Sequence, residues 1–125
     1  MALALVLPLA LSACGDNGNK EKAKKSAVLL SDYYYQVWKP PSGDWEIRKV
    51  KPGKESDISI ETQITTKQLS RAIMERSKME QMEIARMACP TYTDKVWKEI
   101  DKEQSVGVVL SGSAGHIINA LCKRP

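Results

Sequence analysis

Polar and apolar positions alternate most regularly over Ile58-Ser59-Ile60-Glu61-Thr62-Gln63-Ile64. A period of two predicts a strand with Ile58, Ile60, Thr62 and Ile64 on the core face. Upstream, Val28 to Trp38 is rich in β-branched and aromatic residues and reads as a first strand. Lys39-Pro40-Pro41-Ser42-Gly43-Asp44 turns the chain, and Trp45 to Val50 reads as a second strand before Lys51-Pro52-Gly53-Lys54. Strand alternation would place Tyr34 and Trp38 on the face opposite Tyr33 and Tyr35, one set covered and the other free to meet a partner.

At Thr65-Thr66 the period changes. A helix capped by either threonine is expected from Lys67 to Ala88, ended by Pro90. Its arc of Leu69, Ala72, Ile73, Met79, Ile84 and Met87 is interrupted by Arg76, Glu80 and Glu83. A short second helix is expected over Asp94–Lys102 with Thr93 as cap. Ser105–Leu110, Ser111–Gly115 and His116–Cys122 then read as strand, turn and strand. The expected domain, 28–125, is α+β: a small antiparallel sheet of three N-terminal strands plus a C-terminal hairpin. One long and one short helix pack against it.

The first fourteen residues follow a different pattern, Met-Ala-Leu-Ala-Leu-Val-Leu-Pro-Leu-Ala-Leu-Ser-Ala-Cys, uncharged and without a polar face. Thirteen helical residues rise about 20 Å, short of a hydrocarbon core of about 30 Å. The run and its ending, Leu11-Ser12-Ala13-Cys14, resemble the signal peptide and lipobox of bacterial lipoproteins, without the basic residue that usually opens such a signal. The resemblance implies removal of residues 1–13 and a lipidated Cys14 bearing a diacylglycerol thioether and an N-acyl chain such as palmitate. Several chains give stable anchoring where one is marginal. Gly15 rather than Asp after the cysteine leans toward the outer membrane, facing the periplasm. Residues 14–27, with four lysines and one acid between Asn19 and Ser26, read as a flexible tether reaching about 20 Å.

All 19 basic and 15 acidic residues follow Cys14, so the net charge of +4 belongs to the mature chain. An exported chain of that charge meets anionic lipid, lipopolysaccharide or cell-wall polymer rather than nucleic acid. If lipid consumes Cys14, two thiols remain, Cys89 and Cys122, and an oxidising compartment favours their disulfide. The rival readings, a redox thiol or a metal ligand, lack a CxxC motif or a second histidine.

Candidate chemistry is sparse. Ser111-Gly112-Ser113-Ala114-Gly115 differs from a nucleophile elbow at its first position, and His116 follows Ser113 too closely to serve as its base. No catalytic residue, cofactor or metal site is expected. Met74, Met79, Met82 and Met87 offer soft thioether ligands but do not converge on a helical wheel, so core packing or an adaptable partner surface suits them better. The partner-binding candidates are Met79, Met82, Tyr34 and Trp38. In outline the mature part resembles the small α/β pilotin lipoproteins of secretion systems. That resemblance implies a non-enzymatic envelope lipoprotein that binds another envelope protein as an accessory of secretion or assembly. The alternative is a periplasmic inhibitor or ligand binder, metal-binding or similar to the lipid-anchored lysozyme inhibitors. Those are mainly β with a Ser/Gly-rich loop, and the long helix argues against them.

Overall fold

A computed structural model describes the backbone of residues 7–125 and the side chains of residues 18–125. Helix α1 (Leu7–Gln36) leads into strands β1 (Trp45–Pro52) and β2 (Ile58–Ile64). Helices α2 (Lys67–Met74) and α3 (Lys78–Ala85), a 3₁₀ turn at Arg86–Ala88 and the short α4 (Val96–Glu99) follow. Strands β3 (Val106–Gly112) and β4 (Gly115–Leu121) close the chain. The four strands form one sheet in the order β1-β2-β3-β4. The outer pairs are antiparallel and the central pair, β2 with β3, is parallel.

The domain is therefore α+β with a mixed sheet of four strands, not an antiparallel sheet of five. The parallel pair follows from chain path. Everything between Ile64 and Val106 is a helical crossover that returns to the end where β2 began, which parallel neighbours require. Ile58, Ile60, Thr62 and Ile64 point inward as their alternation predicts, and Val106, Val108 and Leu110 of β3 lie beside them, all almost inaccessible to solvent. Leu30, Ile73, Ala85 and Trp97 bring the helices onto this face. The other face is more open and carries a Lys51–Glu61 ion pair at 2.9 Å, the usual one-sided solvation of such sheets.

The largest correction concerns Val28–Trp38, which is helical. Its buried residues, Ala23, Ser26, Ala27, Leu30, Tyr33 and Tyr34, recur at spacings of three and four, the period of one helical face. Exposed Val28, Tyr35 and Val37 fill the opposite face with apolar residues and mask that period. The helix ends where Val37 and Trp38 both donate their amides to Tyr33 O, just ahead of Pro40 and Pro41.

Residues 19–27, read as part of a tether, also belong to α1, and small side chains let this stretch lie against the domain. Ser26 Oγ donates to Gln104 Oε1 across 2.5 Å, and Lys22 reaches Asp101 at 3.8 Å. The signal peptide, the lipobox and Cys14 fall on residues whose placement lies outside the described side chains.

The long helix expected over Lys67–Ala88 is two helices and a 3₁₀ turn. Ser77 restarts the helix: its hydroxyl accepts from the Glu80 amide and donates to the Glu80 carboxylate, a variant of the capping box. Buried Gln81 then donates Nε2 to Met74 O and to Ile73 O, which also takes the Arg76 amide, tying the start of α3 to the end of α2. Because the wheel is broken, Ala72, Met79 and Met87 of the expected arc are exposed, while Ile73 and Ile84 pack inward. The second helix is shorter than expected and begins at Val96, since Asp94 is committed to a turn. Asp94 Oδ2 accepts from the Thr91 amide and hydroxyl.

Cys89 and Cys122 form the disulfide, with Cα atoms 5.7 Å apart. It joins the segment after α3 to the residue following β4. Nearby, Arg86 Nε donates to Leu121 O at 3.0 Å. Arg124 lies over the Trp97 ring at 5.1 Å and donates to Gln104 O and Ile100 O, holding the C-terminal segment in place.

Candidate functional site

The sheet has two distinct ends. At one lie Pro52, Ile58, Val106 and Leu121, with Gln104 against Ser26 of α1. At the other lie Trp45, Ile64, Gly112 and Gly115, six residues away along each central strand, or about 20 Å. Helix α2 starts at this second end, directly after Ile64, and meets the β3–β4 hairpin there.

Between α2 and the hairpin is a cleft of about 400 Å³. Lys67, Ser70, Arg71 and Met74 form one wall, and Gly112 to Ile117 form the other. Ser70 Oγ accepts from the Ser113 amide at 3.1 Å and fastens the hairpin tip to the helix. Glycine at 112 permits that approach, because a Cβ there would stand 2.7 Å from Ser70 Oγ and 3.1 Å from Ile117 Cδ1. Gly115 turns the tip at φ 119°, in the region that side chains disfavour.

The lining is cationic. Lys67 and Arg71 stand one helical turn apart on α2, so both project to the same side. Neither makes an ion pair among the described residues, whereas Lys51, Arg76 and Arg86 all do. His116 adds an imidazole whose Nε2 is engaged by Asn119 Oδ1 at 2.8 Å. Among the described residues, no carboxylate lines the cleft; Glu75 lies beyond Arg71 beside a shallower depression on the outer side of the helix. Met74, Ala114 and Ile117 make the remaining lining apolar. Such a surface is electrostatically suited to an anion. Ser113 and His116, the residues of the hydrolase comparison, sit on the hairpin tip and the following strand. The Ser113 amide is bonded to Ser70 and the imidazole to Asn119, not to each other.

The four partner-binding candidates do not converge. Tyr34 is buried in α1, gives its hydroxyl to Ala88 O and meets the Trp38 ring edge-on at 5.5 Å. Desolvation, then the nearby Tyr33 and Asp94, holds its phenol well above the usual range. Trp38 is half-buried against the core. Met79 is 76% exposed on α3. Met82 packs partly on the core and edges a second groove of about 270 Å³ near Arg86 and Leu121. Among the described residues, no group of three or more His, Cys, Asp or Glu side chains is arranged to hold a metal ion.

Sequence reasoning missed Lys67 and Arg71. The sequence marks Lys67 only as the start of a helix and pairs Arg71 with Glu75 at i,i+4, an ion pair not formed among the described residues although Arg76–Glu80 is. Their opposing wall lies more than forty residues downstream. No protein family model, curated protein or solved structure matches this chain.

Proposed function

We propose that this chain is a lipid-anchored envelope lipoprotein whose domain binds another envelope protein, serving a secretion or assembly system without catalysing a reaction. The observation that carries the reading is the separation of its two ends. The lipobox-like Leu11-Ser12-Ala13-Cys14 precedes the half of α1 that packs near Gln104, and the cationic cleft lies at the opposite end of the sheet. A chain held by Cys14 would present that cleft away from the bilayer, toward a soluble or membrane-spanning partner. The lysines at positions 20, 22, 24 and 25 would stand nearest the anionic headgroups, each contributing about 1 kcal/mol at the surface. Gly15 rather than Asp after the lipobox cysteine further supports an outer-membrane location facing the periplasm.

The test is fractionation of cells expressing the full chain. Wild type should sediment with outer membranes and Cys14→Ala should appear in the soluble fraction. A Cys14→Ala protein that stays membrane-bound removes the lipid anchor from this reading. Crosslinking in intact envelopes should then recover a secretin or another assembly component.

A further inference from the structure

We propose that the cleft between α2 and the β3–β4 hairpin captures an acidic, partly apolar peptide segment of a protein partner, with Lys67 and Arg71 as its anion-binding pair. This inference rests on the binding role proposed above and names the chemistry of the partner.

Three observations point to this ligand. Lys67 and Arg71 share one side of α2, lack ion pairs among the described residues, and flank a cleft that no described carboxylate lines. An anion seated between them replaces solvent contacts with charge-assisted hydrogen bonds, and the planar Arg71 fork suits a carboxylate. Met74 and Ile117 line the same cleft. A free inorganic anion would leave that apolar surface wet, whereas a peptide can place an aliphatic side chain there.

The third observation is position. Gln104, against which Ser26 packs, lies at the end of the strands opposite the cleft, about 20 Å away. An anchor upstream of Ser26, on that end, leaves the cleft at least about 20 Å, more than two Debye lengths, from the headgroups of its own membrane. Lipid phosphate of that bilayer is therefore a poor match, and an acidic segment of a neighbouring protein is favoured.

The experiment uses the full chain purified in detergent at physiological ionic strength. Its probe is a fluorescein-labelled octapeptide of alternating aspartate and leucine, with an asparagine–leucine peptide of the same length as control. Fluorescence anisotropy should register binding of the acidic peptide and not of the control. Lys67→Ala with Arg71→Ala should weaken it at least about tenfold, the scale of one lost charge-assisted contact. Lys67→Arg with Arg71→Lys should retain most of it. Lys51→Ala, which removes a cation already paired with Glu61, should change it little and controls for net charge.

Equal binding of both peptides, or equal losses from Lys51→Ala and the cleft pair, overturns the proposal. Full displacement by millimolar inorganic phosphate assigns the cleft to a small anion and overturns the peptide. Loss of phosphatidylglycerol-vesicle binding by the Cys14→Ala, Lys67→Ala, Arg71→Ala chain, without any peptide binding by the parent, assigns it to lipid. Circular dichroism of the variants verifies the fold, and α2 exposes both side chains to solvent. Failure here leaves the Cys14→Ala fractionation unaffected, so the cleft and the anchor are judged separately.

Discussion

Ser26 and Gln104, 78 residues apart, meet in a buried hydrogen bond of 2.5 Å that fixes α1 to the loop before β3. Removing the hydroxyl strands the Gln104 side chain in a dry contact, at a cost of about 1–3 kcal/mol. Ser26→Ala should therefore lower the urea midpoint without altering the slope. Hydrogen exchange gives the sharper readout. Amides of residues 23–30 should be protected in the wild type and should exchange faster in the variant, ahead of those in β2 and β3. Uniformly fast exchange over residues 19–27 in the wild type would restore the flexible tether.

The contact between Tyr33 and Asp94 makes the domain sensitive to acid. Tyr33 Oη donates to Asp94 Oδ2 at 2.6 Å, and Thr91 donates its amide and hydroxyl to the same oxygen. Partial burial pushes the Asp94 carboxyl upward, but the bonds from Tyr33 and Thr91 outweigh it and hold the group below the usual carboxylate range. Burial and the Asp94 contact push the Tyr33 phenol up. A carboxyl depressed on folding stabilises the folded state above its unfolded pKa of about 4, and that contribution is lost as pH falls through the lower folded value. Tyr33→Phe should bring the Asp94 pKa back toward the ordinary value, as followed by carboxyl NMR shifts. It should also reduce stability at pH 7 more than at pH 2. An unchanged Asp94 titration in Tyr33→Phe would count against this account.

Close packing at Gly112 predicts a specific epistasis. A methyl group there would come within 2.9 Å of Ser70 Cβ as well as meeting its hydroxyl, so Gly112→Ala should push the hairpin from α2 and cost about 1–3 kcal/mol. Removing the Ser70 hydroxyl relieves part of the clash while losing the bond to the Ser113 amide. The double variant Gly112→Ala, Ser70→Ala should thus be more stable than the sum of the single losses predicts. Strict additivity in denaturant melts would show that the two positions do not press on each other.

Much of the sheet was legible because its signals are local. Alternation from Ile58 to Ile64 reports burial on one face, and the glycines around Ser113 mark the hairpin. The parallel pairing of β2 with β3 was not, since register over an intervening segment of some forty residues leaves no local pattern. Helix α1 was misread for an opposite reason. Val28, Tyr35 and Val37 are apolar but exposed, so the segment looked like a two-sided strand. The break after α2 had left a trace in Ser77-Lys78-Met79-Glu80, a capping-box spacing overridden by a long run of helix formers. The cleft was only half legible. Its hairpin wall stood out as a Ser/Gly cluster, whereas Lys67 and Arg71 gain meaning only when the crossover folds them opposite it.

The disulfide yields the last prediction. Cys89 and Cys122 are 33 residues apart in sequence and join the segment after α3 to the residue following β4. Closing a loop of that length removes unfolded-state entropy worth about 3–4 kcal/mol in the chain-entropy model. Cys89→Ala with Cys122→Ala should lower unfolding stability by about that amount, and reduction of the wild type should match it. The loss should be felt first where the bond acts, at the Arg86–Leu121 hydrogen bond and the Cys122 amide that donates to Val106 O. The Ser70–Ser113 clasp lies at the other end of the strands. Reduction short of unfolding should accordingly speed exchange at Leu121 and Cys122 while acidic-peptide binding persists. Loss of peptide binding in step with reduction, with the sheet still protected, would instead mean that the two ends of the domain are coupled.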